Sequence, residues 1–262
     1  MVSVDPYLAR VGYTGPTAPT LETLRALHRA HLLAVPFENL DISLGREIVV
    51  DEAAIIRKVV EQRRGGFCYE LNSAFAALLR ALGFRVTLLS ARVARERGGE
   101  GPEFDHLTLQ VDLRDAQEGT WLADVGFGES FLQPLRLQPA VEQVDPAGTF
   151  RLVRLPGQPP TQTEERLQLE KAEPGGHWKR QYSFSLQPRH LADFATMCRY
   201  HQTSPESSFT QSRICTRATP DGRITLSGMK LIVTRNGQRE ENALASEKEA
   251  QDALQRYFGV RL

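Results

Sequence analysis

Cysteine is scarce in this chain: its 262 residues include three, Cys68, Cys198 and Cys215. No two form a C-x-x-C pair and the number is odd, so a disulfide framework or a cysteine-rich zinc site is not expected. Neither sign of charge is in excess, with Lys plus Arg and Asp plus Glu both totalling 32. No basic stretch forms a stripe that would release counterions from nucleic acid, which argues against a polyanionic partner. Runs of about 18 apolar residues are absent, and Met1 to Tyr13 lacks a charged region followed by an apolar one. A soluble, cytoplasmic protein with no membrane partner is expected. G-x-x-x-x-G-K-[ST], G-x-G-x-x-G and H-E-x-x-H are also missing, which removes the commonest nucleotide and zinc signatures, and no metal is expected. The chain is still long enough to bury a core and enclose a cleft unaided.

The first third has helical grammar. Thr20 precedes a 3.6-period stripe of Leu21, Leu24, Leu27, His28 and His31 that ends near Val35-Pro36. A second helix is predicted over Asp51 to Val60, with acids in its first turn. A third carries Leu71, Phe75, Leu78, Leu79 and Leu82 on one face and stops at Gly83, so Cys68 lies at or near its N-terminus. From Phe84 the period changes to two. Strands are predicted over Arg85 to Val93, His106 to Leu113 and Thr120 to Gly128, the last ending in a Gly-Phe-Gly segment, joined by a charged loop (Arg95 to Pro102) and a turn (Arg114 to Gly119). Shorter strands follow around Phe150 to Leu155, Arg166 to Leu169 and Trp178 to Leu186, making a small antiparallel sheet or barrel. A linking helix is read over Pro188 to Tyr200. Beyond it, strands at Arg223 to Leu226 and Met229 to Thr234, an Asn236-Gly237 hairpin signal and a capping box at Ser246 to Glu249 compose a compact αβ unit. The order is α+β, not alternating βαβ.

Three residues stand out chemically. A cysteine is nucleophilic as its thiolate, which a helix N-terminus, nearby cations and an imidazole favour; Cys68 has the first, and Arg63 and Arg64 precede it. His106 lies on the polar face of its strand. Asp124 is flanked by Leu122, Ala123 and Val125, where an ionised carboxylate is costly unless paired, and His106 is the evident partner. A simple hairpin about Arg114 to Thr120 sets Asp124 opposite Gln110, leaving His106 four residues, or about 13 Å, out of register. A bulge, an asymmetric turn or strong curvature is then required. Arg64 is read as a scaffold residue paired with a carboxylate such as Glu38. Cys198 and Cys215 are read as buried and inert, and His201, near an expected lid loop, as a solvated loop histidine in preference to one that borders the ligand.

Five segments carry a resemblance: P-F-E-N-L at 36 to 40, R-G-G-F-C-Y-E-L-N at 64 to 72, D-H-L-T-L at 105 to 109, W-L-A-D-V-G-F-G at 121 to 128 and S-G-M-K-L at 227 to 231. In order and content they resemble the arylamine N-acetyltransferase family, in its bacterial form. The resemblance implies an N-terminal helical bundle (1–83), a central antiparallel β-barrel (84–187) and a linking helix with a C-terminal α/β lid (188–262). It implies a cysteine-protease-like triad of Cys68, His106 and Asp124, and ping-pong transfer from acetyl-CoA to an arylamine or hydrazine with no prosthetic group. It also implies an amine pocket formed by Phe37, Val93, Phe131 and Phe209, with Gly126, Phe127 and Gly128 letting backbone approach the ligand. The same triad order leaves open an amide synthase acting on a polyketide acyl chain, a transglutaminase-like hydrolase, or a non-enzymatic member.

Overall fold

The structure is a computed structural model, and it describes residues 2–95, 98–113, 119–156 and 165–262. The N-terminal part comprises helices α1 (Val4–Val11), α2 (Leu21–Ala34), α3 (Leu40–Ser43), α4 (Glu52–Ile56) and α5 (Cys68–Ala81), with a two-residue strand β1 (Phe37–Glu38) between α2 and α3. Local signals set the ends. The Thr20 hydroxyl accepts the Thr23 N–H at 3.3 Å to start α2, and Asp51 Oδ1 accepts the Ala54 N–H at 2.9 Å to start α4. The α4 helix runs on into a π turn, Arg57–Glu61. The predicted stripe on α5 understates its burial, because every residue from Cys68 to Leu79 is buried. It is the central helix, packed on both sides.

The larger sheet has eight strands: β2 (Arg85–Val93), β3 (His106–Asp112), β4 (Thr120–Ala123), β5 (Leu135–Arg136), β6 (Glu142–Asp145), β7 (Gly148–Leu155), β8 (Arg166–Ala172) and β9 (Trp178–Ser185). They run in the order β5-β4-β3-β2-β9-β8-β7-β6. The two edges meet through a side chain: Gln143 of β6 accepts the Arg136 N–H of β5 at 2.7 Å and donates to the Arg136 carbonyl at 3.0 Å. The sheet is therefore a nearly closed barrel, filled by Leu89, Leu122, Phe131, Phe150, Leu152, Leu169 and Phe184. Alternation along β3 divides its two faces. Leu107, Leu109 and Val111 join Leu71, Phe75 and Leu78 of α5 in the bundle core, and each such buried side chain contributes about 1.5–3 kcal/mol. His106 and Thr108 turn the other way, toward Tyr182.

A 3-10 turn (Leu191–Phe194) leads into α6 (Ala195–Thr203), so the linking helix begins three residues after the predicted Pro188 and extends past Tyr200. The short helix α7 (Ser208–Gln211) precedes strands β10 (Ile214–Thr219), β11 (Gly222–Ser227), β12 (Lys230–Arg235) and β13 (Gln238–Ala243), and then α8 (Glu247–Ala253). Their sheet has the order β1-β10-β11-β12-β13. It is closed at one edge by the N-terminal part, with Phe37 opposite Thr216 and Glu38 opposite Cys215. Among the described residues no helix is long and apolar enough to cross a membrane.

Candidate active site

Cys68 opens α5, and the segment before it is a scaffold of charge. Arg64 binds Glu38 Oε1 through Nε at 3.0 Å and a terminal nitrogen at 2.8 Å, and reaches Asp41 Oδ1 at 3.0 Å. Lys58 Nζ lies 2.7 Å from both Asp41 Oδ2 and Glu70 Oε1. Glu70 Oε2 then accepts the Phe67 N–H at 3.1 Å, which fixes the first turn of the helix. Burial works against the Lys58 charge, yet Glu70, Glu38 and Asp41 hold its pKa above the ordinary value. The Gly pair has a steric reason. A Cβ on Gly65 would lie 2.0 Å from the Pro36 carbonyl oxygen, and one on Gly66 would lie 2.7 Å from the Glu70 side chain.

The Arg64 side chain therefore serves its carboxylates and not the thiol. Burial pushes the Cys68 thiol well up; contact with the Leu107 N–H acts the other way, and Asp124 and Asp105 add to the rise. An isolated thiolate is disfavoured, so ionisation requires a base that keeps the proton within the pair. Leu107 follows His106, and Cys68 and His106 line the same cavity.

His106 is held by Asp124, with Nε2 2.6 Å from Oδ2. The predicted register is corrected here. Leu109 pairs with Ala123, so Asp124 follows on opposite Thr108 and not Gln110, and the offset to His106 is two residues. The turn that sets this register lies, apart from Gly119, outside the described residues, as do Glu96 and Arg97 of the charged loop. Strand β4 ends at Ala123, which frees Asp124 to bend toward His106. The other carboxylate oxygen, Oδ1, accepts Asn72 Nδ2 at 2.9 Å and the Gly126 N–H at 3.0 Å. Burial raises the Asp124 pKa, but His106, Asn72 and the Gly126 N–H outweigh it and hold the carboxyl below its usual range.

Two further residues frame this group. Asn72 uses its whole amide: besides Asp124, Nδ2 donates to the Leu107 carbonyl at 2.6 Å and Oδ1 accepts the Val125 N–H at 2.9 Å. One signal for it was available, since Asn72 stands one helical turn after Cys68. His28 accepts the Asp124 N–H at Nε2 (3.1 Å) and its Nδ1 faces the Leu132 carbonyl at 3.0 Å, an arrangement that only the neutral Nδ1–H tautomer satisfies. Burial pushes its pKa down, in keeping with that form.

The cavity that exposes Cys68 and His106 has a volume of about 430 Å³. Phe37, Val93, Gly126, Phe127 and Phe209 line it. Phe131 does not: it is fully buried in the barrel, stacked on His28 at 5.6 Å and edge-on to Phe150. Gly128 is not among the lining residues either; its φ of +87° needs glycine for a backbone reason. Gly126 has a cause other than ligand approach, since a Cβ there would fall 2.8 Å from Cys68 Cα and from Asn72 Nδ2. Gly126→Ala is therefore expected to push the start of α5 from the Asp124 loop. The predicted result is a loss of at least about 100-fold in kcat/KM with about 1–3 kcal/mol of destabilisation, measured by steady-state kinetics and thermal melting.

His201 is also corrected. It lies in the last turn of α6, is buried and lines the cavity, because the helix continues past Tyr200. Cys198 and Cys215 are buried free thiols as expected, with Cys198 pushed up to about 12 chiefly by burial. Among the described residues no group of His, Cys, Asp or Glu could hold a metal ion.

Comparison with known proteins extends the geometry. A family model described as N-acetyltransferase matches residues 20–262. The chain is 35% identical over 236 residues to the arylamine N-acetyltransferase / N-hydroxyarylamine O-acetyltransferase of Salmonella typhimurium, covering 89% of this chain and 80% of that protein. Among solved structures it resembles the arylamine N-acetyltransferase of Nocardia farcinica, with a TM-score of 0.87, 37% identity and coverage of 100% of this chain and 90% of the other. It also resembles the Mycobacterium marinum enzyme in complex with CoA, with a TM-score of 0.87 at 32% identity, covering 98% and 93% of the two chains.

Proposed function

The chain belongs to the arylamine N-acetyltransferase family, and we propose that it moves the acetyl group of acetyl-CoA to an arylamine or arylhydrazine nitrogen through an acetyl-Cys68 intermediate. The observation that carries this reading is the convergence of Cys68 and a His106 oriented by buried Asp124 on one mostly apolar cavity. With Nε2 committed to Asp124, Nδ1 is the His106 atom that can take a proton.

In the first half-reaction the Cys68 proton passes to His106 Nδ1 and Sγ attacks the thioester carbonyl. The C–S bond to CoA breaks, and CoA leaves as the thiol with the proton from His106. In the second half the amine nitrogen attacks the acetyl-cysteine and gives a proton to His106. The C–Sγ bond breaks and the proton returns to Cys68. Asp124 keeps the ring in the useful tautomer and stabilises the imidazolium. The Cys68 N–H, in the first turn of α5, is the proposed donor to the oxyanion.

The CoA complex of the Mycobacterium marinum relative supports a CoA thioester as donor. A cavity of about 430 Å³ accommodates an aryl ring and an acetyl group, which favours these over a polyketide-length chain. On the same reading units 1–83, 84–187 and 188–262 supply nucleophile, base and lid, and the three unpaired thiols support a reducing, cytoplasmic setting. Initial rates over both substrates test the order of events. Parallel double-reciprocal lines are expected, whereas intersecting lines would mean direct transfer in a ternary complex.

A further inference from the structure

Asn39 stands at the N-cap of α3, a position where an asparagine ordinarily accepts an N–H of its own helix. Its side chain does not cap α3. The Leu40 N–H goes instead to Glu38 Oε2 at 2.8 Å. The Asn39 amide reaches a segment 170–175 residues further along the chain. Its Nδ2 donates to the Phe209 and Ser212 carbonyls, both at 2.9 Å, and its Oδ1 accepts the Ile214 N–H at 2.7 Å. Two carbonyls and one N–H fix the amide in a single orientation. The backbone follows suit, with the Asn39 N–H donating to the Ile214 carbonyl at 3.2 Å. Asn39 is buried, so removing its amide would leave these partners unmatched.

The segment so held is a wall of the cavity, lined by Ser208, Phe209, Ser212 and Ile214. Little burial secures it, since none of residues 208–214 is buried and α7 is four residues long. Thr210 bonds back to the Ser204 and Ser207 carbonyls, and Arg213 binds the Gly228 carbonyl and Glu247, so these ties stay on the lid side. Among the described residues, the hydrogen bonds that join the segment to the N-terminal part are those of Asn39. They set the Phe209 ring 6.1 Å from Phe37 and 5.8 Å from Phe67, the residue before Cys68.

We propose that Asn39 is a positioning residue for the acceptor: by fixing residues 208–214 it holds Phe209 as the wall against which the aryl ring of the amine packs. Its effect falls on the second half-reaction, where the amine enters, and depends on the aryl group and not on the amine nitrogen. This role rests on the proposed arylamine acetylation and names a determinant of its acceptor class.

The test uses Asn39→Asp, which keeps the size of the side chain and an acceptor for the Ile214 N–H but sets a carboxylate oxygen against the Phe209 and Ser212 carbonyls. Enzyme acetylated on Cys68 by acetyl-CoA is discharged either by aniline or by hydrazine, a nucleophilic nitrogen without the ring, and loss of the acetyl group is followed by mass. Intrinsic reactivity cancels when the aniline-to-hydrazine ratio of second-order rate constants is compared between variant and wild type. That ratio is expected to fall about tenfold, with the hydrazine constant unchanged. An unchanged ratio, an equal loss for both nucleophiles, or a variant that no longer melts cooperatively overturns the proposal; the last two would give Asn39 a role in the triad or in the fold as a whole. The wild type separates the two levels: no acetyl group on its Cys68 refutes the acyl-enzyme, whereas an acetylated Cys68 with an unchanged ratio in the variant refutes the role of Asn39 alone.

Discussion

Cys68→Ala is expected to remove acetyl transfer altogether, a loss of at least about 10⁴-fold in kcat. The other two cysteines cannot replace it. Cys198 is buried beneath the loop at Ile48, with its thiol donating to the Ile48 carbonyl at 3.8 Å, and burial pushes its pKa up to about 12. Cys215 lies fully buried in β10, where burial and Glu38 push its thiol well up. The variant should keep its fold, since the change removes one sulfur at a cavity wall and leaves the Phe67–Glu70 turn untouched; stability within about 1 kcal/mol of wild type is expected by melting. Transfer at near wild-type rate in this variant would place the nucleophile elsewhere.

Asp124→Asn should cost nearly as much, and the reason lies in the donors around it. Asn72 Nδ2 and the Gly126 N–H both point at Oδ1. An asparagine amide must therefore keep its oxygen on that side and present its NH₂ group to His106 Nε2. The imidazole is then forced to accept at Nε2 and to carry its proton on Nδ1, where it can no longer take one from Cys68. A loss of about 10³–10⁴ in kcat/KM is expected, equivalent to about 4–5.5 kcal/mol of transition-state stabilisation. The donors to Oδ1 stay satisfied, so melting should move little. A loss of less than tenfold would contradict the orienting role of Asp124.

Much of this arrangement was legible in the chain. Period and capping signals located α2 and α5, the alternation in β3 put Leu107, Leu109 and Val111 on one face, and an acid on an apolar strand called for a partner. Arg64 with Glu38 followed from the same reasoning about buried charge. The offset between His106 and Asp124 was not legible, because register depends on turn geometry and a shift of two residues preserves the alternation on both strands. Phe131 lies outside the cavity, and Gly126 lines it but also has a steric cause; neither was legible, for a related reason. A sequence shows that an aromatic or a glycine is present, but not whether its neighbour is a ligand, a histidine ring or the backbone of Cys68. Strand β10 escaped notice because its polar residues Thr216 and Arg217 blur the period. Its pairing with Phe37 and Glu38 also depends on contacts far apart in sequence. A helix that stops at Tyr200 leaves His201 in a loop, whereas α6 runs to Thr203 and carries it into the wall of the cavity.

Mass spectrometry of the intact protein after mixing with acetyl-CoA alone, followed by peptide mapping, bears most directly on the acetyl-enzyme. One acetyl group per chain on Cys68, removed when an arylamine is added, is the result expected. An unmodified Cys68 in protein that still acetylates the amine, or a stable acetyl group on another residue that the amine does not discharge, would contradict it.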